Sequence, residues 1–140
     1  LDIQPGMLAR AKEKTKIAGC MNVEFVAAAL GEGHLPTNYF DVVVLVTVLG
    51  EIPNCATAFA ELSDALKPGG ILAIVEVIFD PHFQTRKTVT DLAVSNGLRE
   101  VAFFGHSLAF VIHFEKPKVS PPQEIDESGN LGLWSNVDGG

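Results

Sequence analysis

Two stretches of the chain are apolar without alternation. From Phe40 to Leu49 the residues Val42, Val43, Val44, Leu45, Val46 and Val48 crowd together, and Ile71 to Ile78 repeats the pattern. A strand with one wet face alternates polar with apolar positions, so these two read as strands covered on both faces, which is typical of parallel strands between helical layers. The segments around them carry a helical period instead. Pro5 suits a first helical turn, where its missing N–H costs nothing, and Met7, Leu8, Ala11 and Ala18 fall near one stripe before Gly19 ends the helix. After Pro53-Asn54, Cys55, Phe59, Leu62 and Leu66 recur at helical spacing until Lys67-Pro68-Gly69-Gly70 stops them. A third helix between about Thr85 and Ser95 places Val89, Leu92 and Ala93 inward and closes at Asn96-Gly97.

Asn22 to Leu30, with Val23, Phe25 and Val26, predicts a further strand, followed by a loop through Gly31-Glu32-Gly33-His34-Leu35-Pro36. Leu98 to Phe104 and Leu108 to Glu115 complete the set. Only Gly105-His106-Ser107 separates them, which suits an antiparallel hairpin and leaves no space for a crossover. Past Pro117 the period dissolves into Pro121, Pro122 and acidic, Gly- and Asn-bearing sequence. Residues 1–117 are therefore expected to form one domain and residues 118–140 a flexible tail, Leu133 and Trp134 included.

Composition narrows the function classes. With 47% hydrophobic and 19% charged residues among 140, the chain has the material of a single core. No apolar run approaches the ~20 residues of a membrane span. A net charge of −7 disfavours a phosphate-backbone partner, and the one basic cluster, Arg10 with Lys12, Lys14 and Lys16, falls on the polar side of the first helix. Small-molecule chemistry fits better than nucleic acid or membrane. Cys20 and Cys55 lack metal-ligand spacing and read as small buried hydrophobes, in keeping with a cytoplasmic setting. His34, His106 and His113 match no metal spacing either, so no metal is expected.

Three phrases carry a family resemblance. Asp2-Ile3-Gln4-Pro5-Gly6-Met7-Leu8 looks like the second-strand motif of the Rossmann-like class I S-adenosylmethionine-dependent methyltransferases. Phe40-Asp41-Val42-Val43-Val44-Leu45 is similar to their fourth strand, and Leu66-Lys67-Pro68-Gly69-Gly70-Ile71-Leu72 to the entry into their fifth. The resemblance spans residues 1 to about 117 and implies an α/β fold: a Rossmann-like sheet with helices on both faces and a C-terminal antiparallel hairpin. It also implies S-adenosylmethionine as cofactor and methyl transfer to a small-molecule acceptor.

Site residues follow from the resemblance position by position. Asp2 would accept the two ribose hydroxyls, since a charged acceptor makes the stronger bond. Ile3 would offer apolar surface to adenine. The family's adenine-reading Asp falls near Leu30-Gly31-Glu32, where this chain has none, so Glu32 or a backbone group beside Gly31 would take its place. Thr47 and Val48 would line the methionine portion, because ligands gather outside the carboxyl ends of strands in open α/β sheets. Glu51, Glu76, Asp80 and His82 would form the substrate rim, where one could act as general base. Methyl transfer from a sulfonium asks mainly for alignment in a dry cleft, so the catalytic residues stay unassigned.

Relative to the family pattern, the chain begins one unit late: the first strand and its glycine-rich turn are absent before Leu1. It is expected to be an N-terminally truncated partial methyltransferase domain, inactive alone and weak in cofactor binding, with the activity residing in a longer parent. The incomplete sheet would then leave backbone groups unpaired, to be met by a strand shift or by pairing into a homodimer. Two other readings are compatible with an acidic residue after a second strand. A nicotinamide-dependent oxidoreductase fragment is opposed by the closing hairpin; a non-catalytic methyltransferase-like binding module would retain cofactor without turnover.

Overall fold

A computed structural model describes residues 1–118. The tail expected from residue 118 onward, with Leu133 and Trp134, lies outside the described residues save for Lys118 itself. Elements follow in the order α1 (Pro5–Ile17), β1 (Phe40–Val46), α2 (Cys55–Ala65), β2 (Leu66–Val77), α3 (Arg86–Ser95), β3 (Arg99–His106) and β4 (Ala109–Glu115). The four strands form one open sheet in the order β1-β2-β4-β3. β1 and β2 are parallel, Val44 opposite Ala73 and Leu45 opposite Ile74, whereas β4 runs antiparallel to both β2 and β3. This is the α/β arrangement with a closing hairpin that the sequence predicts.

Caps and parity explain the local structure. Asn54 accepts the Thr57 N–H at 3.2 Å to open α2, and Thr85 does the same for Thr88 at 3.2 Å to open α3. Pairing parity puts Leu45, Leu72, Ile74, Phe110, Ile112 and Phe114 on one face of the sheet, where they bury against Phe59 and Leu62 of α2 and Val89 and Ala93 of α3. That single layer contact is the core.

Five local expectations change. β1 is covered on one face only: Leu45 is 8% exposed, yet Val42, Val44 and Val46 are 56–57% exposed, because both core helices lie on the opposite side and β1 ends the sheet. Asn22 to Leu30 forms no strand; a single parallel bridge joins Ala27 to Asp2, tied by the Asp2 N–H to Val26 at 3.1 Å. α1 forms as predicted and ends in Gly19 at φ 69°, but none of its residues is buried, Met7 remaining 47% exposed. Lys67-Pro68-Gly69-Gly70 ends α2 and yet belongs to β2, as an irregular lead-in between the pairs Phe40–Leu66 and Val42–Ile71, with Gly69 at φ 82°. Cys20 is exposed and Cys55 only half-buried.

Candidate functional site

Parallel strands β1 and β2 end on the same side, and the loops that follow them are in contact. After β1 the backbone turns sharply at Thr47, whose φ of 47° is left-handed and whose N–H still reaches the Val75 carbonyl at 2.9 Å. A branched side chain disfavours that conformation, so Thr47 is held there by its surroundings. Val48 follows, half-buried, then a 3-10 turn over Leu49–Glu51. Gly50 sits directly against His82 of the second loop; any side chain on it would collide with the His82 carbonyl.

The loop after β2 is fastened by two carboxylates. Asp80 accepts the His82 N–H at 2.7 Å within its own turn. Glu76, 1% exposed, lies beneath the loop and accepts the Gln84 N–H on Oε2 at 3.1 Å, while Oε1 has no partner among the described residues. Burial raises the Glu76 pKa, the Gln84 N–H pulls the other way, and the nearby Asp80 charge adds to the rise. Of the four rim residues, Glu51 and His82 are exposed, Asp80 is half-buried, and Glu76 stands behind the rim as its support.

The N-terminal candidates lie on a separate segment. Asp2 is half-buried at its bridge to Ala27, and its Oδ1 accepts the Gln4 N–H at 2.7 Å, which fixes the carboxylate at the entry to α1. The turn leaves Oδ2 without a partner among the described residues. A fixed carboxylate with open acceptor sites is the acceptor that the two hydroxyl donors of a vicinal diol require, so this residue fits a ribose. Ile3 beside it is 67% exposed, an apolar surface open to a ring. Glu32 pairs with His34 at 3.2 Å on the surface, and Gly31 adopts φ 95° with its α-carbon close to Thr57 and Ala58 at the start of α2.

Sequence reasoning missed Glu61. Its carboxylate projects from α2 into the loop after Leu30, accepting the N–H groups of Gly31 and Leu35, the latter at 2.8 Å, with those of Gly33 and His34 also bearing on it. Partial burial acts to raise its pKa, but the backbone donors, Leu35 and Gly31 first, outweigh burial and hold it below the ordinary Glu value. A carboxylate 26 to 30 residues away from its partners leaves no local signature; the only hint was Gly31-x-Gly33, a spacing that lets successive N–H groups converge.

Comparison with known proteins bears on the same residues. A family model described as "Methyltransferase domain" matches residues 1–74. A ubiquinone/menaquinone biosynthesis C-methyltransferase UbiE of Francisella philomiragia is 38% identical over 76 residues, covering 54% of this chain and 30% of that protein. A demethylmenaquinone methyltransferase of Listeria welshimeri is 36% identical over 76 residues, covering 54% and 32%. The chain thus spans about a third of the length of these curated relatives. Among solved structures, a SAM-dependent methyltransferase from Aquifex aeolicus superposes with a TM-score of 0.72 at 20% identity, over 81% of this chain and 65% of that one. At that identity the likeness speaks for the fold.

Proposed function

This chain belongs to the methyltransferase-domain family, the Rossmann-like class I group that uses S-adenosylmethionine, and on that premise we propose that it serves methyl transfer from this cofactor to a small ring-bearing acceptor. The observation that carries the reading is Asp2: the family match includes it, and its carboxylate is fixed by the Gln4 N–H with open acceptor sites. S-adenosylmethionine, when bound, supplies a methyl group already activated by its positive sulfur. The protein's part is then to bind and align. Asp2 accepts the ribose hydroxyls, and Ile3 presents its exposed side chain to the adenine. Thr47 and Val48 line the far end, while the loop bearing Asp80 and His82 shields the acceptor side from water.

For the acceptor, the names of the relatives suggest a carbon of a quinol-type ring. In such a step the ring carbon takes the methyl group, the carbon–sulfur bond breaks to leave a thioether, and the ring proton departs. We assign its acceptance to His82, whose exposure on the rim supports that reading.

Calorimetric titration with S-adenosylmethionine tests the donor half. Asp2→Ala is expected to weaken binding by about 2 kcal/mol, roughly thirtyfold in Kd, since charge-assisted bonds are lost. Equal affinity in the two proteins would overturn the assignment. Incubation with methyl-labelled cofactor and either a demethylated quinol or a phenolic or amine acceptor tests the rest. Label on oxygen or nitrogen alone would remove the ring-carbon proposal and leave methyl transfer standing.

A further inference from the structure

α2 touches both loops in which the proposed cofactor site lies. At its start, Asn54 and Cys55 follow the Leu49–Glu51 turn, the Cys55 thiol donating to the Leu49 and Ile52 carbonyls at 3.5 and 3.6 Å. Two turns further on, Glu61 reaches the loop of residues 31–35. That loop has little else to define it. It contains no regular structure, two of its glycines have positive φ, and its apolar anchors are Leu30 and Leu35, both only partly buried against the core. Gly31 is pressed so closely to α2 that an added Cβ would come within 2.9 Å of the Thr57 hydroxyl and 3.2 Å of the Ala58 nitrogen.

We infer that Glu61 is a positioning residue for cofactor binding: it gathers the backbone N–H groups of Gly31 and Leu35 and so fixes the adenine-side loop against α2, the helix whose first turn also meets the Leu49–Glu51 turn. The inference rests on the proposed function, since it assigns the loop of residues 31–35 to the adenine side. It also accounts for a departure from the family pattern. Where other members carry an Asp near Gly31, this chain has a loop without that side chain, and its backbone N–H groups are already engaged by Glu61. The loop's carbonyls and the Glu32 N–H remain to meet a purine edge, and they can do so only if the loop keeps one shape. A loop free to fluctuate would bind the same ligand more weakly, because binding would then bear the ordering cost.

Three variants and three measurements, cofactor affinity, amide exchange and thermal melting, decide it. Glu61→Gln removes the charge and offers one acceptor to two N–H groups; Glu61→Ala removes both acceptors. Val89→Ala, in the α3 part of the core, controls for loss of global stability. In each protein S-adenosylmethionine affinity is measured by calorimetry, and amide hydrogen exchange is followed at Gly31 and Leu35. Both Glu61 variants are expected to exchange at least about tenfold faster at these two amides, with the Ile74 amide in β2 unchanged, and to bind the cofactor about tenfold more weakly. Val89→Ala is expected to melt at lower temperature with affinity and loop exchange at wild-type values. Cofactor affinity within twofold of wild type in both Glu61 variants overturns the inference, as does a Val89→Ala protein that loses affinity equally. If the wild-type chain binds no S-adenosylmethionine, the proposed function fails and the cofactor role of Glu61 fails with it, while the exchange data still test by themselves whether Glu61 holds the loop: accelerated rates at Gly31 and Leu35 support that hold, and unchanged rates overturn it as well.

Discussion

Thr47 adopts a backbone conformation that its branched side chain disfavours and Glu76 sits in a burial that disfavours its ionised form, and the two lie near the ends of β1 and β2. Left-handed backbone at a branched residue costs on the order of 1–3 kcal/mol, so Thr47→Gly is expected to stabilise the fold by about 1 kcal/mol once the added freedom of the unfolded glycine is subtracted. Methyl transfer is expected to fall in the same variant, and thermal melting with a turnover assay reads both signs. Glu76 gives a pH dependence. Burial raises its folded pKa above the unfolded 4.5, so the folded state binds the extra proton in the window above 4.5. Its contribution is fully present below that value and is lost as pH rises through the raised folded pKa. Glu76→Gln keeps an acceptor for the Gln84 N–H and cannot ionise, so its stability curve is expected to be flatter across this window and about 1 kcal/mol higher at neutral pH, by chemical denaturation. Asp2 could be singled out from sequence because it stands in a family phrase, and Thr47 because it lies at the carboxyl end of the strand that the second phrase marks. The strain at Thr47, the burial of Glu76 and the reach of Glu61 could not, since each depends on residues brought together by the fold.

Among the helices, α2 and α1 set the extremes. Phe59 and Leu62 of α2 are 0% and 1% exposed, and α2 is the element against which the loops of residues 31–35 and 49–52 are both fixed. Truncating Phe59 to Ala is expected to cost about 3–5 kcal/mol. Met7→Ala in α1 is expected to stay within about 0.5 kcal/mol, because no residue of α1 is buried. Urea unfolding of the two variants checks the contrast, and a loss above 1 kcal/mol for Met7→Ala would mean that α1 packs in solution. Helix existence was legible for all three, from period and from Pro5, Gly19, Asn54 and Thr85. Which helix carries the core was not. α1 has its apolar stripe in sequence, yet among the described residues the stripe meets no strand, because the described sheet ends at β1. Asn22 to Leu30 failed as a strand for the same reason: among the described residues it pairs only with Asp2, and one bridge does not make a ladder.

Taken as a whole, the described residues form a sheet with one finished face and one open one, and one of its edges is a strand that the sequence reads as covered on both faces. Among the described residues β1, seven residues long, has no partner strand on its outer side, and Val42, Val44 and Val46 stand more than half exposed beside it. The charges near that edge are Asp41 and Lys67, which pair with each other at 2.7 Å at its beginning and leave the valines unguarded. Natural edges are normally blunted by charge, proline or cover, so an edge of this composition is expected to pair with another strand. Two copies of β1 could meet antiparallel, each supplying the same surface, as a two-fold interface requires. The expected result is concentration-dependent dimerisation of the chain in sedimentation velocity, reduced by Val44→Lys, which places a charge among the valines and leaves Leu45 and the core contacts intact. The continuous valines do record a requirement for cover, and the described residues meet it on one face. If Val44→Lys left the association unchanged, or if the wild-type chain stayed monomeric to high concentration, the edge would have to be protected by something other than a second copy. S-adenosylmethionine titration of the same two proteins then separates assembly from binding, since Val44 lies on the open face and Thr47 lies beyond the strand's end.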